Sequence, residues 1–460
     1  MTGATATLPP GFPPHRTSPS GGRHGSGGGM PGPPTAAVRG TVERLAVGSM
    51  AVAFAAQFAV RPSGPGNSSP VDALTLVSLL SVAMWAAAAR VPVRAPYAIG
   101  FGLMVLGGAL AGLVSDLPGT ALLALAQDVV LLAWGTAVVT VARDPARLRL
   151  LATAWSYAAT ACASVLVAGS LAHLTVITGV VAREGNRALF TFGDPNYAAT
   201  YWVLSLFVVY AAKVPRRSGP RVLAYAVLVW ALLLTESNGG LVELGLGCLL
   251  IAAVAMHRRH GLVGAIACVL LTGVVTTAAL TAVPLSSIQT WARTSGQSIL
   301  VNSLGRSNDS SAQRSLLVTE SLQLYQTGNT LGTGPATTKA LLSARGYPYA
   351  KEAHDDYLAA LVERGPVGLL GLLVLLASAA YRAGRLLRPR PGPPDPRELP
   401  RPVGLVAALL ATAAASTYYE VMHFRFVWGL LAFVAAASFA DAARRGPRRR
   451  VAPSPAGGPR

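Results

Sequence analysis

The stretch that decides the fold is residues 239–284, GGLVELGLGCLLIAAVAM, then HRRH, then GLVGAIACVLLTGVVTTAALTAVP. Two apolar runs, 239–256 and 262–284, flank His257-Arg258-Arg259-His260. About 20 helical residues cross the ~30 Å hydrocarbon core of a bilayer. Lipid gives backbone groups no water to bond, so only helices suit such runs there. An arginine-bearing connection between them belongs on the cytoplasmic side. Glu243 is the one charge within either run, about one turn from the opposite face.

The rest of the chain agrees. Of 460 residues, 52% are hydrophobic and 12% are charged, about half the ~25% of a soluble protein. Mean hydropathy is +0.47. This composition cannot clothe two or three soluble domains in polar surface. It excludes a soluble enzyme, a disulfide-stapled module and a disordered protein. Cys162, Cys248 and Cys268 sit inside apolar runs without metal-ligand spacing, as small buried hydrophobes do. The expected fold is an all-α polytopic membrane protein of about twelve transmembrane helices. The spans are 43–60, 71–89, 95–113, 120–142, 151–178, 195–213, 221–236, 239–256, 262–284, 366–383, 403–419 and 424–442.

Charge tests this topology. The net charge is +19, which in a soluble chain would suggest nucleic acid. With the N-terminus inside, 27 of the 38 Lys and Arg fall on the inner segments. Seven of the other 11 lie in one long outer loop, where the positive-inside rule has little force. Sidedness therefore accounts for the charge: membrane lipids are the expected partner and nucleic acid is not. The expected location is the plasma membrane, with both termini cytoplasmic.

Residues 1–40, with 10 Gly and 8 Pro, cannot offset their ordering entropy and read as a disordered tail. Residues 446–460 read as a second, basic tail. The membrane domain spans 43–442. Within it, 285–365 forms a large extracytoplasmic loop between helices 9 and 10, too long to be structureless without a function. Ser310-Ser311-Ala312-Gln313 fits a capping box ahead of a helix over 313–326. A second helix is expected from about Glu352 to Arg364, with Gly365 at its end and Pro366 opening the next span.

Arginine is costly near a membrane, so the outer ones are informative. Arg183 and Arg187 precede Gly193-Asp194-Pro195-Asn196. Arg314 is expected in the first turn of the capped helix, where free N–H groups favour an anion. A guanidinium is always charged and grips phosphate oxygens through paired donors, so Arg187 and Arg314 suit a diphosphate. His354 titrates near neutrality and suits a catalytic proton acceptor. It is expected on one helical face with Tyr357, Leu358 and Leu361. Asn196, Asp355, Glu363, Arg183, Glu243 and Arg425 are supporting candidates. Asp128, inside an apolar span, calls for a partner on its own or a neighbouring helix. No third ligand accompanies Asp355-Asp356, so no metal is expected and a capping role fits the pair better.

These residues carry a resemblance. Arg187…Gly193-Asp194-Pro195-Asn196-Tyr197-Ala198 resembles the segment entering a middle transmembrane helix of the O-antigen ligase/polymerase superfamily. So do Arg314 with Leu331-Gly332-Thr333-Gly334-Pro335, and His354-Asp355-Asp356-Tyr357-Leu358…Glu363-Arg364-Gly365-Pro366-Val367-Gly368-Leu369. The resemblance covers about 180–370 in motif detail. It implies a membrane glycosyltransferase that moves a glycan from a polyprenyl-diphosphate carrier to an acceptor hydroxyl on a glycan, a lipid-linked sugar or a protein. It implies no cofactor, metal or nucleotide sugar. His354 matches the family's outer-loop histidine, and Arg187 and Arg314 its diphosphate-binding arginines. Two positions depart: many members carry Ser-Arg-Gly where this chain has Ser237-Asn238-Gly239, and the family's His-Asn pair is His354-Asp355 here.

The motifs do not separate a ligase from a polymerase or a protein O-oligosaccharyltransferase. A transporter or flippase of lipid-linked glycans, using Asp128 and Glu243, would need internal repeats with broken helices, and no repeat is evident.

Overall fold

A computed structural model describes residues 36–60, 69–179, 187–282, 285–297, 300–301, 309–347, 350–389 and 395–445. Among the described residues every regular element is a helix. In order they are α1 (Ala36–Ala55), α2 (Pro70–Ala89), α3 (Ala98–Leu113), α4 (Pro118–Ala142), α5 (Pro145–Leu171), α6 (Thr175–Thr178), α7 (Pro195–Ala212), α8 (Ser218–Leu234), α9 (Asn238–Ala282), α10 (Leu285–Thr294), α11 (Asp309–Thr327), α12 (Thr338–Ala344), α13 (Asp356–Leu387), α14 (Val403–Ala415) and α15 (Arg425–Arg445). Each of the twelve expected apolar stretches overlaps helix, with 151–178 divided between α5 and α6. Six described helices are long and apolar enough to cross a membrane: α2, α4, α5, α9, α13 and α15. α3, α8 and α14 are shorter apolar helices.

Proline sets several starts. α2, α4, α5 and α7 each carry Pro in their first turn, where its missing N–H costs nothing. Asp144 and Asp194 cap α5 and α7 by accepting from Ala146 N and Asn196 N. α5 consequently begins at Pro145, earlier than the expected 151. The expected single span 151–178 is broken: α5 stops at Leu171, His173 turns left-handed with φ 55°, and α6 is separate. α1 starts at Ala36, inside the stretch 1–40 expected to be a tail; residues 1–35 and 446–460, where the two tails are expected, lie outside the described residues.

Two long helices break at glycine. α9 turns at Gly261 (φ 68°, ψ −163°), directly after His257-Arg258-Arg259-His260, so its two arms match the two expected runs. α13 turns at Gly365 (φ 63°, ψ −170°) before Pro366, so its first arm, 356–364, is distinct from the apolar arm that follows. A side chain does not readily adopt such a positive φ.

α15 is the central element, with 78% of its apolar stretch buried, whereas that of α9 is 6% buried and faces outward. Around α15 stack Phe54, Trp134, Trp155 and Phe433, with ring centroids 4.9–6.0 Å apart along the stack. α3 and α13 approach closely. A Cβ on Gly107 would lie 2.4 Å from Gly368 N, and one on Gly100 2.5 Å from Leu375 N. Apolar side chains gain little from associating in lipid, so close backbone packing of small residues takes over.

Candidate active site

The candidate residues gather where α7, α9, α13 and α15 begin and α8 and α14 end. Arg187 precedes α7 and runs beside the end of α8, where Ala188 N donates to Leu234 O. Its guanidinium is buried. Nε donates to Thr235 O at 3.0 Å and Nη2 to Asn196 Oδ1 at 2.8 Å. Asn196 Oδ1 also accepts from Ser237 Oγ at 3.0 Å. Arg187 is thus clamped by the first turn of α7 and the α8–α9 turn. Arg183 lies outside the described residues.

Ser237 is also within hydrogen-bonding reach of the Tyr419 hydroxyl. That hydroxyl accepts from Arg314 Nη2 at 3.1 Å, and the guanidinium lies 5.4 Å from the ring centroid. Arg187, Asn196, Ser237, Tyr419 and Arg314 therefore form one chain of contacts drawn from five separate segments. Arg187 is buried, but Arg314 is exposed and has donors in hand beyond the one given to Tyr419.

Two expectations for Arg314 are corrected. α11 starts at Asp309, so Ser310 lies inside the helix and is not its cap. Arg314 is then the sixth helical residue, past the first turn and its free N–H groups. Its anion affinity rests on its own charge. Leu317, Glu320, Ser321 and Leu324 form the buried face that docks α11.

His354 is also displaced from its expected place. Asp355 accepts from Tyr357 N at 2.8 Å and Leu358 N at 2.9 Å. It is therefore the cap of α13, which starts at Asp356 and not near Glu352. His354 lies before the helix with φ 52°, a costly conformation for a side chain. Its N–H donates to Glu420 Oε1 at 3.2 Å. Its Nδ1 is buried with no partner among the described residues. Burial, and next the Lys351 charge, push the imidazole below its usual 6.5, while Arg314 and Asp194 act on it from opposite sides of charge. Burial, and next Glu363, Asp356 and Glu352, raise the Glu420 carboxyl well above its usual value.

The remaining candidates divide. Glu363 holds the loop after α11: Oε2 accepts from Ala336 N at 2.8 Å, and Oε1 from Thr338 Oγ1 at 2.8 Å. Thr333 N and Gly334 N donate to Val362 O and Glu363 O. Leu331-Gly332-Thr333-Gly334-Pro335 is thereby laced to α13. Asp356 binds the α14–α15 turn through Val421 N and Met422 N. Glu243 reaches the cluster through Tyr418, whose hydroxyl is 3.4 Å from its Oε1. Asp128 pairs with Arg364 of α13 at 2.6 Å, the neighbouring-helix partner expected for it. Arg425 is engaged elsewhere, ion-paired with Asp72 of α2. Among the described residues no group of three His, Cys, Asp or Glu is placed to hold a metal ion.

Sequence reasoning passed over Tyr419, Thr235, Ser237 and Glu420 as site components. Tyr419 lies 105 residues from Arg314, and no local pattern announces such a contact. The doublet Tyr418-Tyr419 beside Glu420, between two apolar runs, was the available signal.

No curated protein matches the chain. Residues 223–373 match the family model described as O-antigen ligase. That segment contains α9, the whole run from α10 to α12, and Arg314, His354 and Glu363. Over residues 223–373, then, the chain is similar to the O-antigen ligase family.

Proposed function

We propose that the protein transfers a glycan from a polyprenyl-diphosphate carrier to an acceptor hydroxyl at the outer face of the plasma membrane. The supporting observation is the contact chain that joins Arg187 to Arg314 through Asn196, Ser237 and Tyr419, with His354 close enough to feel the charge of Arg314. The basic inner loops favour cytoplasmic termini, and the site then faces outward with α10–α12.

In this reading Arg314 contacts the diphosphate through its exposed donors. Arg187, fixed below, adds charge in a poorly screened setting. As the acceptor oxygen bonds to the anomeric carbon, the bond from that carbon to the diphosphate oxygen breaks and its electron pair leaves with the diphosphate. The two guanidinium groups stabilise the charge that develops. The proton of the attacking hydroxyl passes to the neutral imidazole of His354, whose Nδ1 has no other partner in the described structure. Direct displacement inverts the anomeric configuration. The departure to Asp355 leaves this chemistry intact, since its carboxylate is spent on two N–H groups of α13.

The test is His354→Ala in purified, membrane-inserted protein. Glycan transfer is expected to fall by about 10²–10⁴-fold, the range of general-base catalysis. Unchanged transfer would remove His354 from the mechanism.

A further inference from the structure

Glu243 lies in the first arm of α9 and is wholly buried. Its Oε1 accepts from Thr200 Oγ1 of α7 at 3.0 Å and lies 3.4 Å from the Tyr418 hydroxyl. Its Oε2 has no partner among the described residues. A carboxyl group in such a place is costly, and within a membrane span it marks function by default. Both of its contacts are hydroxyl groups, and one belongs to the turn that bears Tyr419.

The geometry around Tyr418 has no slack. Its hydroxyl donates to Gly239 O at 2.9 Å. A Cβ on Gly239 would come within 2.5 Å of the Tyr418 ring and 3.0 Å of the Tyr419 ring. The two rings meet edge-on, with centroids 4.8 Å apart and planes at 83°. A shift of Tyr418 therefore displaces Tyr419, on which the Arg314 guanidinium rests.

We propose that Glu243 is a positioning residue for the donor diphosphate: through Tyr418 it fixes the tilt of the Tyr418–Tyr419 pair, and so the point at which Arg314 presents its charge. This rests on the glycosyl-transfer reading above. Glu243 touches no substrate in this role. Its effect exists only while Arg314 is there to be placed.

The experiment measures binding of farnesyl diphosphate to the full-length protein in nanodiscs. Glu243→Ala and Tyr418→Phe are each expected to weaken binding about tenfold, and the double variant no more than the stronger single one. Glu243→Gln, whose amide oxygen still accepts from Thr200, stays within about threefold. In an Arg314→Ala background, Glu243→Ala produces no further loss, which a general loss of structure would not reproduce. Should Glu243→Ala fail to fold, Tyr418→Phe with and without Arg314→Ala decides the matter by the same comparison. Wild-type binding with unchanged affinity in Glu243→Ala, or a loss that persists without Arg314, overturns the inference and leaves the transfer reading standing. Absence of binding by the wild-type protein overturns both.

Discussion

Arg314 offers the cleanest perturbation, because it is exposed and its replacement should lower fold stability only through the Tyr419 contact, by about 1–2 kcal/mol. In the structure it gives one hydrogen bond to Tyr419 and lies over that ring. A charge-assisted hydrogen bond from its other donors to the diphosphate would contribute about 1.5–3 kcal/mol. Arg314→Ala removes that contact, a loss of roughly 10–10²-fold in kcat/KM. Arg314→Lys keeps the charge and loses the planar fork, so its loss should be about 10–30-fold. Tyr419→Phe keeps the ring and removes one hydroxyl, about 0.5–1.5 kcal/mol, at most about tenfold. The assay is initial-rate glycan transfer with a lipid-diphosphate donor, alongside the unfolding midpoint of each variant. The predicted order is Ala worst, then Lys, then Phe, with midpoints lowered by no more than a few degrees. An Arg314→Ala enzyme within about threefold of wild type, equally stable, would refute an arginine contact to the leaving group.

Other outcomes follow from the same contacts. Burial and Lys351 hold the His354 imidazole below 6.5, and a base must be neutral; kcat/KM should be flat around pH 7 and fall as pH drops through that lowered pKa. Lys351→Gln removes one cause of the lowering and should move this acid limb to higher pH, as read from a pH–rate profile. Arg364→Leu strands Asp128, its partner at 2.6 Å, and should cost about 3–5 kcal/mol of stability, whereas the double replacement with Asp128→Leu recovers most of it; thermal unfolding in nanodiscs reads both. Gly365→Ala meets a positive φ and would put a Cβ 2.5 Å from Leu331 O, so it should destabilise by more than about 1 kcal/mol and raise hydrogen exchange over residues 330–338.

The helices were legible because bilayer length and hydropathy are local properties. The runs around Gly261 and the break at Gly365-Pro366 fall where turn chemistry places them. Boundaries set by side-chain caps were less visible: Asp355 competes with upstream residues for the first N–H groups of α13, and its two hydrogen bonds shorten the helix and release His354. Arg187, Asn196, Arg314 and His354 were readable as charged or polar residues at costly positions. Their linkage was not, because it runs through Ser237 and Tyr419, ordinary residues whose value comes from contacts 41 and 105 positions away. Glu243 could be placed near the outer face by counting helical turns, but Tyr418, which joins it to the cluster, lies 175 residues distant. Arg425 shows the converse. It was expected on the same face as its neighbours, yet its ion pair with Asp72 ties it to a different part of the bundle.

In the proposed reaction this cluster hands a glycan from a lipid diphosphate to a hydroxyl acceptor. Purified protein in nanodiscs, given a polyprenyl-diphosphate glycan, tests it by quantifying free polyprenyl diphosphate with and without a glycan acceptor. Release should require acceptor, match product formation mole for mole, and vanish in the Arg314→Ala/His354→Ala double variant. Release that ignores the acceptor, or continues undiminished in the double variant, would contradict it.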